Sequence, residues 1–176
     1  MSKFYVLTLG EFIHENGINV ALEAFAEIYH DVTSKHQRRM QLTLITKGTM
    51  NDFIQEKINQ LGIGNAVEIV YWSEQETIEE WYEQASVMLL PSNENISKLV
   101  TESFSFGLPV ACYENENLED TLDSTCGMMV RRESHQQNVN NFSEILRILY
   151  FDPEARKILK KGASRKYESQ FSWGAV

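Results

Sequence analysis

Short apolar runs with strand character alternate with segments of helical period from one end of this chain to the other. That order constrains the fold strongly. A helix between two strands carries the chain back to the level where the first strand began, so the strands pair in parallel and the helices cover the sheet. Phe4–Leu9 is the first such run, ended by Gly10. Ile18, Leu22, Phe25, Ile28, Tyr29 and Val32 then recur at helical spacing. Leu42–Thr46, Ala66–Trp72, Ser86–Leu90, Leu108–Tyr113 and Met128–Val130 read as further strands. Between them lies a helical face through Phe53, Ile54, Lys57, Ile58 and Leu61, with Gly62 as its C-cap. A Ser73–Glu76 capping box opens a helix through Trp81 and Tyr82. Ile96–Phe106 and a short Leu118–Leu122 are the next helices. Two more close the chain, one through Val139, Phe142, Leu146 and Leu149, the other from Pro153 to about Phe171. The expected fold is α/β: a Rossmann-like parallel sheet of about six strands with helices on both faces. Trp81, Tyr82, Met128 and Met129 read as core.

At 176 residues this is one domain with ample material for a core. No apolar run approaches the ~20 residues of a membrane span, and Lys3–Leu7 reads as a strand rather than a signal peptide. A net charge of −9 argues against nucleic acid as a partner. It leaves a nucleotide open as a ligand, since a helix N-terminus holds phosphate with little side-chain charge. Cys112 and Cys126 have no Cys or His partner at ligand spacing, so the expectation is two reduced thiols, no metal site and a cytoplasmic setting. His14, His30, His36 and His135 form no nucleophile triad. Only His14 lies in a loop at the carboxyl end of a strand.

The stretch Pro91–Val110, PSNENISKLVTESFSFGLPV, has the order of a site. A strand runs into it, Glu94 sits in its loop, Glu102 follows on a helix with seven residues between the two, and Gly107-Leu108-Pro109-Val110 leads into the next strand. Such an order places two carboxylates and a helix N-terminus at the carboxyl end of a sheet, where polyhydroxylated phosphate esters bind.

These residues resemble the C-terminal, donor-binding domain of GT-B retaining glycosyltransferases, family 4, the glycosyl transferases group 1. The resemblance covers nearly the whole chain: Asn16-Gly17-Ile18 with Ala21–Phe25, Leu61-Gly62-Ile63 with Val67 and Ile69, the Glu94/Glu102 motif with Gly-Leu-Pro-Val, and Asp152-Pro153-Glu154 with Phe171-Ser172-Trp173. It implies that residues 1–176 are a single nucleotide-sugar-binding domain, the C-terminal half of a two-domain protein whose N-terminal acceptor domain is absent here, and that this half alone is inactive. It implies transfer of a hexose from a nucleotide diphosphate sugar to a saccharide or lipid-linked acceptor, in cell-surface polysaccharide or glycolipid synthesis. No cofactor or metal is implied. The full-length protein is expected to be cytoplasmic, with peripheral membrane association at the inner face.

The resemblance also implies roles. Glu94 lies near the transferred sugar as the catalytic carboxylate, and Glu102 accepts the ribose hydroxyls. The backbone of Asn95, Ile96, Ser97 and Lys98 faces the diphosphate, while Asn95 and Ser97 also suit helix capping. Gly10, Asn16, Gly48 and Trp72 complete the donor set. Trp72 and Tyr71 stand where a base would stack or where core packing would take them. The chain departs from the family in its charge. Glu11 and Asn16 occupy the positions of an Arg and a Lys that neutralise the diphosphate. A carboxylate ~4 Å from a phosphate oxygen costs roughly 1 kcal/mol in water and about 4 near a protein surface. Lys47, Lys98 and His14 are the candidates to compensate. Thr46 and Tyr71 replace glycines, the Asn95–Ser97 loop contains none, Glu114–Glu119 lacks a Gly-Gly pair, and the Pro91–Glu102 interval is one residue short. The rival expectation is a non-catalytic GT-B module that partners an active transferase.

Overall fold

The computed structural model describes residues 3–9, 15–47, 52–73 and 78–170, with nothing said of the side chains of residues 15 and 16. Six strands, β1 (Phe4–Leu9), β2 (Met40–Lys47), β3 (Val67–Trp72), β4 (Val87–Leu90), β5 (Val110–Tyr113) and β6 (Gly127–Val130), form one sheet in the order β3-β2-β1-β4-β5-β6. Every pairing is parallel. The helices are α1 (Glu15–Asp31), α2 (Ser34–Gln37), α3 (Asp52–Leu61), α4 (Glu79–Gln84), α5 (Ser97–Ser105), α6 (His135–Phe151) and α7 (Pro153–Gln170).

Both faces of the sheet are covered, which is why the central strands are apolar throughout rather than alternating. Phe4, Val6, Leu42, Leu44, Val87, Leu89 and Ala111 face one core, beneath α1, α3 and α6. Leu7, Leu9, Ile45, Met88, Leu90, Val110 and Cys112 face the other, beneath α4, α5 and α7. Full burial of each such leucine or phenylalanine stabilises the fold by roughly 1.5–3 kcal/mol. On the first face Glu23 of α1 joins Lys57 of α3 at 2.9 Å and also meets His135 of α6, tying three helices at one point.

Local chemistry sets the helix ends. Ser134 accepts the Gln137 amide at the start of α6, and Asp152 accepts the Ala155 amide before α7. Gly107 follows α5 at φ 66°, a left-handed stop that turns the chain straight into β5.

Three expectations change. Leu118–Leu122 is not a helix: Glu116–Leu118 is a 3-10 turn in which the Asn115 side chain accepts the Asn117 amide. The apolar pair at 118 and 122 imitates a helical period because both leucines anchor a loop into the second core. Helix α4 begins at Glu79 with Ile78 as its N-cap and no side-chain cap. Ser73 therefore does not open it, and Glu76 lies outside the described residues. Met128 packs partly on the first core, but Met129 is exposed because β6 is an edge strand.

The chain moves outward from β1 to β2 and β3, then returns through α4 to β4 on the other side of β1. Connections at the carboxyl ends of β1 and β4 thus diverge, and a crevice opens at that point.

Candidate functional site

A cleft of about 740 Å³ lies at the carboxyl ends of β1, β2 and β3. Leu9, Ile45, Ile78, Tyr82 and Leu99 give it an apolar floor, and Thr46, Lys47 and Trp72 form one rim. The opposite wall is one face of α5, Lys98, Thr101, Glu102 and Ser105, with Tyr167 of α7 behind it. The α5 residues stand at helical spacing, so about two turns of helix present an ammonium, a carboxylate and two hydroxyls to the same space. The hydroxyls of Thr101 and Ser105 donate to the helix carbonyls of Ser97 and Glu102.

Lys47 and Trp72 are register partners across β2 and β3, and the Lys47 ammonium sits 4.7 Å from the centroid of the Trp72 ring. Trp72 is half-buried at the rim. Tyr71 alternates to the other face of the sheet and is exposed. Among the described residues, the charged groups in the lining are Lys47, Lys98 and Glu102.

Tyr82 is 1% exposed, and its hydroxyl has no hydrogen-bond partner among the described residues. A buried hydroxyl left so costs about 1–3 kcal/mol. Burial, and then the negative charge of Glu102, push the ionisation of this phenol far above its ordinary range.

The N-terminus of α5 borders the cleft. Ile96, its N-cap, is buried and offers no side-chain acceptor. Asn95 is exposed and its Oδ1 accepts the Ser97 amide at 3.0 Å. Ser97 donates its own hydroxyl to the Asn117 carbonyl at 3.4 Å. Asn95 therefore caps, as its residue type suggests, from one position before the N-cap. Ser97 does not cap; it ties the helix to the loop after β5.

Glu94 is not in the described lining of this cleft. It lies in the exposed bend between β4 and α5, where its amide donates to Ser92 Oγ at 3.1 Å and its carbonyl accepts from Asn115 Nδ2 at 3.4 Å. The structure thus brings together Glu102, Lys98 and Trp72 from the expected donor set and leaves Glu94 outside the cleft lining. Gly10 and Gly48 lie outside the described residues, as do Glu11, His14 and the side chain of Asn16. Thr101 and Ser105 join the lining beyond the expected donor set, and their spacing from Glu102 on α5 is the sequence signal for them. Tyr167 had none, because it reaches the cleft through packing of α7 on α5. Among the described residues no group of three or more His, Cys, Asp or Glu side chains could hold a metal, and no helix is long and apolar enough to cross a membrane.

No curated protein sequence matches the chain at a significant level. Solved structures do match its fold. WaaG, a glycosyltransferase involved in lipopolysaccharide biosynthesis, superposes with a TM-score of 0.79 at 17% identity, over 97% of this chain and 44% of its own. The pneumococcal O-GlcNAc transferase GtfA, solved with UDP and GlcNAc, superposes at 0.77 and 16% identity, over 96% of this chain and 33% of its own. Sucrose-phosphate synthase from Thermosynechococcus elongatus gives 0.76 and 24% identity, over 98% of this chain and 42% of its own. At such identities the likeness establishes the fold, one Rossmann-like half of the GT-B architecture. The chain spans less than half the length of each of these proteins. The model for glycosyl transferases group 1 matches residues 1–166, more than nine-tenths of the chain, and the chain belongs to that family.

Proposed function

We propose that residues 1–176 are the nucleotide-sugar-binding domain of a two-domain glycosyltransferase, and that the cleft holds the nucleoside diphosphate. The observation that carries this reading is the convergence of Glu102, Lys98, Lys47 and Trp72 on one apolar-floored cleft at the switch point of the sheet. Each part suits one part of the ligand. Glu102 accepts two vicinal ribose hydroxyls. Trp72 offers a flat face to the base. Lys47 and Lys98, with the first-turn amides of α5, attract the diphosphate and take over from the cations replaced at Glu11 and Asn16.

In this reading Glu94 acts on the sugar beyond the nucleotide cleft, across the bend between β4 and α5. The saccharide or lipid-linked acceptor comes from the companion domain, closure of the two halves excludes water, and no metal or other cofactor takes part. The UDP and GlcNAc held by the GtfA structure support a nucleotide-sugar donor for this chain as well. The same reading takes a hexose as the transferred group, a role in cell-surface polysaccharide or glycolipid synthesis, and a cytoplasmic site at the membrane surface.

The test is titration of the 176-residue chain with UDP, GDP and ADP, followed by NMR chemical shifts, with Glu102→Ala as control. Saturable binding of one nucleotide, weakened at least about tenfold in the variant, is expected, since two charge-assisted hydrogen bonds are lost. No binding of any of the three at millimolar concentration would rule out an autonomous donor site. A second reading, a non-catalytic module partnering an active transferase, is favoured by the acidic and neutral residues at 11 and 16. Activity of the two-domain protein that depends on an added partner would select it.

A further inference from the structure

Among the described residues of the cleft, the proposed ligand leaves the buried hydroxyl of Tyr82 without a task. A phenylalanine would fill the same volume without burying an unpartnered polar atom. The ring stacks on Phe106, with centroids 5.1 Å apart and planes 28° from parallel. Phe106 is the C-cap of α5, and Glu102 stands one turn earlier on the same face of that helix. Stacking on Phe106 therefore sets the Tyr82 hydroxyl beside the Glu102 turn, close enough for the carboxylate charge to act on it. The carboxylate itself is exposed at the wall of the cleft, within reach of the Tyr82 hydroxyl but not in a hydrogen bond of good geometry with it.

We propose that Tyr82 is the positioning residue for Glu102: when a vicinal diol enters the cleft, the carboxylate turns inward, accepts the two diol hydroxyls and accepts the Tyr82 hydroxyl as a third donor. The inference rests on the reading of the cleft as a nucleotide site. A carboxylate has about four lone-pair positions, enough for all three donors. Tyr82 stays protonated throughout, because burial and the neighbouring anion both oppose its ionisation. The unpartnered hydroxyl is destabilising in the empty cleft, and that cost is relieved only when Glu102 is drawn inward. The device couples recognition of the ribose to ordering of an exposed side chain.

Tyr82→Phe keeps the ring and its stack and removes only the donor. Its melting temperature without ligand should equal or exceed that of the unaltered chain. Calorimetric titration of the 176-residue chain with UDP, GDP and ADP, and with the 2′,3′-dideoxy form of each, supplies the second readout. The substitution should weaken the ribonucleotide about tenfold and leave the dideoxy form unchanged, so discrimination for the diol shrinks. In a Glu102→Gln background the same change should have almost no further effect on affinity. Unaltered diol discrimination in Tyr82→Phe, while the parent chain binds, would overturn the positioning role and leave the nucleotide site standing. Loss of melting temperature with discrimination unaltered would show a structural hydrogen bond instead. A parent chain that binds none of the three nucleotides would overturn the nucleotide site and this role with it.

Discussion

The Lys47 ammonium lies 4.7 Å from the centre of the Trp72 ring, on neighbouring strands and in direct register, at the rim of the cleft. The pair presents a flat aromatic face and a cation side by side, the two things a base and a diphosphate require. Both stand at strand ends, and Trp72 packs only partly on the second core, which leaves its ring at the rim of the cleft.

Trp72→Ala should therefore weaken nucleotide binding by about 1–3 kcal/mol, the usual worth of a stacked base. Trp72 should also report binding through its fluorescence. A ligand-induced change that persists in Trp72→Phe would place the base elsewhere.

Lys47→Met should lower affinity for a nucleoside diphosphate by roughly three- to tenfold at low salt, and less at high salt where exposed charges are screened. The corresponding nucleoside, without phosphates, should bind the variant as well as the parent. Calorimetry at two salt concentrations separates these outcomes. A loss independent of salt would point to packing on Trp72 instead of phosphate attraction.

Two glycines should respond to alanine in opposite directions. A Cβ on Gly162 of α7 would lie 1.7 Å from the Thr125 carbonyl oxygen, in the backbone just before β6. The helix cannot keep its place on α5 with that clash, and Gly162→Ala should cost about 2–4 kcal/mol. Gly64 has nothing within 4 Å of a new Cβ and no left-handed φ. Gly64→Ala should gain about 0.4–1 kcal/mol by narrowing the unfolded ensemble. Urea denaturation reads both, and equal effects would refute the packing argument.

Asp123 links the loop before β6 to α7. Its carboxylate accepts from the Thr125 hydroxyl and amide, the amide at 2.8 Å, and meets the Lys166 ammonium at 3.0 Å. The Thr125 hydrogen bonds, then Lys166, hold its ionisation down to about 2, below its ordinary 3.8. A depressed carboxyl stabilises the fold fully above its unfolded value and loses that contribution as pH falls through the folded one. The group is largely exposed, so the contribution stays under about 1 kcal/mol. Asp123→Asn should thus be less stable at pH 7, with the difference shrinking between pH 4 and pH 2. A gap of constant size across that window would mean the charge is immaterial.

Much of this was legible before any coordinates. Short apolar runs and a period of 3.6 carried the strand and helix order, since burial on both faces of a parallel sheet leaves continuous apolar runs such as Val87–Leu90. The Glu102 motif also placed one wall of the cleft. Leu118–Leu122 misled because two leucines four apart anchor a loop as readily as they mark a helix. Glu94 and Glu102 read as a pair along the chain; in the fold Glu102 lines the cleft, while Glu94 sits in the exposed bend after β4, its backbone hydrogen-bonded to Ser92 and Asn115.

Pattern by itself determined which segments are strands, which are helices and that the sheet is parallel, because those outcomes depend on near-neighbour spacing and on burial. Only the tertiary structure decided that Lys47 and Trp72 from the strands, Tyr82 from α4, Lys98 and Glu102 from α5 and Tyr167 from α7 line the same space. Their meeting depends on strand order at the switch point and on helix packing across residues far apart in the chain, and neither leaves a local mark in the amino-acid sequence.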